Sequence, residues 1–503
     1  MKKLLSLALC VIMAIGLFAG CAKDAPADDV KEMVIGAPKV SASFNPYGSG
    51  YGTGDDQSSR QIYDSLVTKD KDGKIAPAMA ESWDVSDDVM TITFHIKKGI
   101  KFTNGAEFTA EDAKFNIDLC KATPTTTWAM ENVDVCTVID SHTLEVRLLT
   151  VDMSFFESMA WMQFVSKDFY EQHGDNYGLS PETTCGTGAY ILKEITSGDS
   201  AVFEVNPNYY RGEANVKKLR YKTISDANAA VIALKTGEIN YYVKDVPVIA
   251  INDLSGNDKV SVASFPSPVF MDILLNCQTG LFSDIKLREA VALGVDRQKM
   301  LTVGTEGHGV IVDHPGGPDY TGNPNVKIFP DMDQAKAAQL VKDAGAEGTE
   351  VVIITQDVDP WPKLATALQD DLNKIGFKAR VEQIDSAAYG QEVWTNHNYE
   401  IAISRYWSGT KEMAELMALV QSGHAMNFSL YENPAADPFI IQAGATADEA
   451  TRHALYTQAI ELVMPEFPLI PLYYSYGSRA FSSDLTIEPG LAEQDVIYNF
   501  SWK

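Results

Sequence analysis

Between Asp333 and Ser404 the chain alternates helix and strand signals at a spacing that few architectures accept. Asp333 to Ala344 reads as a helix closed by Gly345, and Glu350 to Thr355 is a β-branched strand. Pro362 sits in a helical first turn, and Leu364, Leu368, Leu372 and Ile375 form one stripe before Gly376 stops the helix. Phe377, Ala379 and Val381 then alternate as a strand, and Tyr399 to Ser404 is another. Strands joined through a helix at this spacing make a βαβ unit, which predicts a parallel sheet with helices packed on it. In that arrangement the leucine stripe is core and not a partner surface.

A second pattern lies upstream, from Asp72 to Leu119. Met90, Ile92, Phe94 and Ile96 alternate with Thr91, Thr93, His95 and Lys97, the period of a strand with one buried face. Asp87-Asp88, Lys98-Gly99 and Asn104-Gly105 supply turns. Thr109 stands at a helix N-cap, with Asp112 three residues on as a capping box. Arg60 to Leu66 reads as a helix, and so do Ser225 to Gly237 and Ala447 to Met464; Phe467 to Tyr473 is an extended apolar strand.

The chain of 503 residues is long enough for two or three domains. Its net charge of −27 argues against nucleic acid or an anionic membrane surface as partner. Lys2 and Lys3 precede a short apolar run, Leu4 to Phe18, which is a targeting segment rather than an ordinary spanning helix. Leu17-Phe18-Ala19-Gly20-Cys21 resembles a bacterial lipobox, with Phe18 where Leu is commonest, and a polar tether follows from Ala22. The resemblance implies cleavage before Cys21 and a lipid on its sulfur. Cys120, Cys136, Cys185 and Cys277 are scattered, with no metal-ligand spacing. They read either as buried thiols or as disulfide partners, the Cys120–Cys136 pair closing the shortest loop.

The run PAMAESW…TFHIKKGIKFTNGAEFTAEDAKFN, with Cys185-Gly-Thr-Gly-Ala-Tyr, Asn206-Pro-Asn-Tyr-Tyr and the segment from Phe270 to Arg297, resembles the family 5 extracellular solute-binding proteins. These are the peptide- and nickel-type binding components of ABC importers. The resemblance implies an α/β, periplasmic-binding-protein-like bilobal clamshell of type II with an extra inserted domain. On that frame residues 1–21 are the lipoprotein signal and 22–31 the tether. Residues 32–74, 186–275 and 478–503 form lobe I, residues 75–185 the inserted domain II, and residues 276–477 lobe III. It also implies a monomer held outside the membrane by its N-terminal lipid, serving a permease and its ATPase, with no cofactor. An enzyme is disfavoured: G-x-S-x-G and H-E-x-x-H are absent, and the eight histidines are dispersed.

Ligands of such proteins lie between the lobes. The best candidate wall is Ser404-Arg405-Tyr406-Trp407-Ser408-Gly409-Thr410-Lys411, where a strand ends in an arginine and two aromatics. In peptide-binding members the matching pattern is roughly G-W-x-x-D, whose Asp pairs with the peptide amino terminus. Here Trp407 matches, Tyr406 replaces the Gly, and Thr410 stands in place of the Asp, with Glu412 close by. A neutral hydroxyl does not substitute for a carboxylate facing a buried ammonium. The departure counts against recognition of a peptide amino terminus. The resemblance still makes short peptide the leading ligand class; Thr410 brings in a metal chelate, sugar or anionic metabolite as the alternative, and a ligand sensor uncoupled from transport is a third. Arg405 is expected either to grip an anion or to bridge to a nearby acid. Tyr47 and Tyr51 in a Gly-rich loop, Trp128, and Asn427 complete the expected site; Trp394 and His397 align more weakly, and no metal ligands are expected.

Overall fold

The structure is a computed structural model that describes residues 31–48, 58–71, 73–152, 154–408, 411–446, 448–488 and 497–503. Among these, one 11-stranded sheet runs through the molecule. The strand–helix–strand signal folds as read: Glu350–Gln356 and Lys378–Ile384 pair in parallel, joined by the helix Trp361–Lys374. Leu364, Leu368 and Leu372 on that helix are fully buried. Glu350–Gln356 pairs in parallel with Ile401–Trp407, which lies antiparallel to the long strand Val260–Leu275.

Val260–Leu275 and Leu469–Ser482 are the two strands that hold the molecule together. They pair antiparallel along most of their length. One end, Phe270–Leu275 with Leu469–Tyr474, belongs to the hydrophobic cluster of the C-terminal lobe. The other end, at Val260 and Ala480, packs on the helices Ala227–Thr236 and Val248–Ser255. From there the sheet continues through Tyr241–Tyr242 and Glu32–Ala37 into the N-terminal lobe. Between the two ends the register slips, from Pro266 to Phe270. Pro266 and Pro268 have no N–H to give a ladder, so the connection between lobes is a narrow, interrupted ribbon.

The upstream pattern folds as a four-stranded antiparallel sheet, Ala80–Val85, Thr91–Ile96, Thr143–Leu148 and Val133–Asp140. The helix Ala110–Ala122 packs on it, and the Thr109 N–H donates to Asp112 Oδ2 at 3.0 Å as the capping box requires. This sheet shares one core with the strands around Glu32–Ala37.

Arg60–Leu66 is a correction. Only Ser58–Gln61 turns, as a 3₁₀ segment, and the chain is extended again by Val67–Lys69. The reason lies in Gly186 and Gly188. Gly188 N–H donates to the Ile62 carbonyl at 2.7 Å, so that carbonyl is drawn sideways rather than along a helix. A Cβ on Gly186 would lie 2.2 Å from the Ile62 oxygen, so the contact needs glycine. The four cysteines 120, 136, 185 and 277 are free thiols, the first three buried.

Candidate ligand-binding site

Among the described residues, no strand covers the outer edge at the end of the strand Ile401–Trp407. Ser408 N–H donates to the Pro268 carbonyl at 3.0 Å, and Asn276 N–H to the Glu400 carbonyl at 3.0 Å. By the alternation of an antiparallel ladder, residues 402, 404 and 406 therefore turn their backbone groups toward Val260–Leu275, and 401, 403, 405 and 407 away. The Ile403 carbonyl agrees, because it accepts the Tyr389 hydroxyl at 2.6 Å. On that outer side Glu350–Gln356 pairs only with Ile401 and Ala402. Among the described residues, no strand meets the backbone N–H and C=O groups of Arg405 and Trp407.

The side chains follow the same alternation. Arg405 and Trp407 share one face and are both exposed, Trp407 to 61%. Among the described residues Arg405 has no hydrogen bond or ion pair, so the salt-bridge alternative for it is not realised. Tyr406 points to the opposite face, where its hydroxyl donates to Glu415 Oε1 at 2.9 Å, and Ser408 Oγ donates to Glu415 Oε2 at 2.7 Å. Burial beside Glu415 holds the Tyr406 hydroxyl protonated, its pKa raised. One carboxylate thus fixes the end of the strand that carries Trp407.

On the N-terminal lobe, Glu157 lies in the field of Lys411 and Glu415. The helix Phe155–Trp161 carries Glu157 and, one turn on, Trp161. Glu157 is buried in an ion pair with Lys69. Burial raises its pKa, and Lys69 and Lys411 pull it back, while Glu415 pushes it further. Trp128, 47% exposed, packs its ring 4.9 Å from that of Trp161. On the C-terminal lobe, Lys411 donates to Asp319 Oδ2 at 3.0 Å and to the Pro266 carbonyl at 3.2 Å. Glu412 is buried against Arg452 Nη1 at 3.3 Å. Burial pushes its carboxyl up to about 8, with Arg452 opposing and Glu157 and Asp152 of the other lobe adding to the rise. The two lobes therefore share one electrostatic field at this gap.

The residues expected from sequence divide. Arg405 and Trp407 lie on the exposed face just described, Tyr406 turns to the opposite face against Glu415, and Trp128 lies on the N-terminal lobe beside Trp161. Tyr51, Thr410 and Cys21 lie outside the described residues. Tyr47 is corrected: it is buried, its hydroxyl lies 3.0 Å from Asn116 Oδ1 and 3.2 Å from the Gln163 carbonyl, and its ring meets Tyr170 edge-on. Asn427 is corrected as well. Its Nδ2 donates to the carbonyls of Gln421 and Tyr431 at 3.0 and 2.7 Å, and its Oδ1 accepts from Ser429 Oγ at 2.9 Å and Tyr431 N–H at 3.3 Å. Trp394 packs on Tyr389 and Phe428, and His397 Nδ1 lies 3.2 Å from the Phe428 carbonyl. Lys69, Glu157 and Trp161 were not singled out from sequence; the i, i+4 spacing of Glu157 and Trp161 on one helix face was the available signal. Among the described residues no group of three or more His, Cys, Asp or Glu is placed to hold a metal, and no helix is long and apolar enough to cross a membrane.

Two packed lobes, a thin crossover and an open strand edge beside the gap define a bilobal solute-binding fold. The chain belongs to the bacterial extracellular solute-binding proteins, family 5, whose profile matches residues 74–428. It is 27% identical to Di/tripeptide-binding protein 1 of Pseudomonas aeruginosa over 476 residues, covering 86% of this chain and 87% of that one. It is 26% identical to the glutathione-binding protein GsiB of Salmonella paratyphi A over 492 residues, covering 94% and 95%. In fold it is similar to HbpA2 of Haemophilus parasuis, with a TM-score of 0.81, 20% identity, and coverage of 91% and 96%. Proteins of this family bind solutes outside the cytoplasm for ABC transporters and are not enzymes, so this chain is a binding protein.

Proposed function

We propose that the protein captures short peptides or peptide-like solutes in extended form between its lobes and delivers them to an ABC permease. Cleavage before Cys21 and a lipid on its sulfur would hold it at the outer face of the membrane. The observation that carries the ligand reading is the open edge at Arg405 and Trp407. An extended peptide adds to such an edge as one more strand, its main chain meeting the free N–H and C=O groups. The exposed Trp407 indole gives an apolar face for a side chain, and the half-exposed Trp128, tilted against Trp161, gives a second on the N-terminal lobe. The unpaired Arg405 guanidinium suits a carboxylate, through two parallel hydrogen bonds. The relatives named for di/tripeptides and for glutathione support the same class.

A second reading, a non-peptide anionic solute, is favoured by the same free Arg405. Mass spectrometry of material that co-purifies with the protein separates the two. A thermal-shift series with di- and tripeptides, glutathione and small carboxylates then ranks them. A true ligand at about 100 times its dissociation constant adds about 2.7 kcal/mol of stability. If no peptide shifts the transition and a non-peptide anion does, the peptide reading is wrong.

A further inference from the structure

Asp64 and Gln163 come from distant parts of the chain and line one cavity of about 60 Å³ in the N-terminal lobe. A backbone bond brings their segments together: Phe164 N–H donates to the Asp64 carbonyl at 2.9 Å. Asp64 Oδ1 accepts the Tyr209 hydroxyl at 3.3 Å. Among the described residues, the buried Asp64 Oδ2 has no hydrogen-bond partner, and neither has Gln163 Oε1, on a side chain that is only 6% exposed. Two acceptor oxygens are thus left without a donor in one small cavity, a costly arrangement that native structures rarely keep without a reason. The nearby cations do not serve them. Arg211, which also lines the cavity, holds its guanidinium 5.6 Å over the Tyr498 ring, and Lys97 lies 5.6 Å over the Tyr210 ring. Among the described residues no ion pair joins either to Asp64. Burial, the largest influence on the Asp64 carboxyl, raises it to about 6, and Arg211 and the neighbouring tyrosines oppose this only in part.

We propose that this cavity binds a single monovalent cation, held by Asp64 Oδ2 and Gln163 Oε1 with water in the remaining positions. Carboxylate, amide and water oxygens are the ligands that hard cations take. One water needs about 10–15 Å³ of such space, so the cavity admits a small ion with a few waters and is too small for a peptide or a sugar. The charge of the guest follows from the same residues. Two unspent acceptors exclude an anion, and a net charge of −27 on the chain favours a cation further. One carboxylate beside the guanidinium of Arg211 balances a single positive charge and not two, and no group of three or more His, Cys, Asp or Glu is gathered among the described residues as a divalent ion would ask. Thr68 and Met162 line the cavity too. The residue after Thr68 is Lys69, the ion-pair partner of Glu157, and the residue before Met162 is Trp161, against which Trp128 packs. The ion therefore joins the two segments that carry the Trp128–Trp161 pair and the Lys69–Glu157 bridge.

Thermal unfolding of the purified full chain tests this at about pH 7.5, where Asp64 is ionised. Sodium, potassium or ammonium chloride is exchanged for N-methyl-D-glucamine chloride at constant ionic strength. At least one of the small cations is expected to raise the melting temperature along a saturating curve, as a ligand of the folded state does. Asp64→Asn keeps the shape and removes the charge, and it is expected to melt alike in small and bulky cations. Equal melting of the unaltered protein in all four salts overturns the proposal, and so does an undiminished cation dependence in Asp64→Asn. Should Asp64→Asn fail to fold, judged by circular dichroism, Gln163→Met decides. Losing that oxygen raises the half-saturating cation concentration about tenfold, whereas an unchanged value overturns the proposal. Because no peptide enters the measurement, its outcome is independent of the peptide reading.

Discussion

Arg405–Trp407 and Asn427–Asn433 are two segments of the same lobe that offer similar chemistry in sequence, polar side chains beside aromatics at the end of an element. The structure uses them in opposite ways. Around Asn427 every donor and acceptor is consumed: its amide closes a loop through Gln421, Ser429 and Tyr431, and Asn433 Nδ2 donates to the Tyr431 hydroxyl at 2.9 Å. Around Arg405 the backbone of one strand edge, a guanidinium and an indole are left unspent. The difference teaches that residue type alone does not mark a binding site. What marks it is hydrogen-bonding capacity and apolar surface that the fold itself leaves unused.

The comparison breaks most visibly at Asn427. Asn427→Ala strands a hydroxyl, an N–H and two carbonyls in a buried loop, and is expected to cost about 3 kcal/mol in a denaturant titration, with ligand affinity of the folded protein unchanged. A loss of affinity without loss of stability would place Asn427 in the site after all. Trp407→Ala is the mirror image. Stability should stay within about 0.5 kcal/mol, since the indole is exposed, while calorimetry with a bound tripeptide shows a loss of about 2 kcal/mol, roughly thirtyfold. Next in size is Arg405→Ala, for which a tripeptide acid weakens about tenfold and the same tripeptide with an amidated C-terminus does not. Equal losses for both ligands would assign Arg405 to packing.

The smallest effect is on pH. Glu412 has a folded pKa of about 8 against an ordinary 4.5, so the folded chain holds this proton more tightly than the unfolded one. That stabilisation is complete below the ordinary value and is lost as pH rises through about 8. The melting temperature is therefore expected to be lower at about pH 9 than at about pH 6. Glu412→Gln should flatten this dependence, in a region of the lobe where Trp407→Ala leaves it intact.

Much of the fold was written locally. The leucine stripe of Trp361–Lys374, the alternation of Thr91–Ile96 and the Thr109–Asp112 cap each lie within a dozen or so residues, and the elements formed where these patterns placed them. Arg60–Leu66 did not, because two glycines more than a hundred residues away take the Ile62 carbonyl. The candidate site was legible as residue types, since an arginine and a tryptophan ending a strand are visible in the sequence. Whether those groups were free was not.

The sequence by itself determined the parallel α/β unit, the capped helices and the family, because periodicity, caps and motif spacing are properties of neighbours along the chain. Only the tertiary structure decided that Tyr47 and Asn427 are consumed internally, that among the described residues no strand pairs with the outer edge beyond Ala402, and that Glu412 is buried against Arg452. Those facts depend on which distant segments come to share a hydrogen bond, a surface or a field, and that is fixed when the lobes pack.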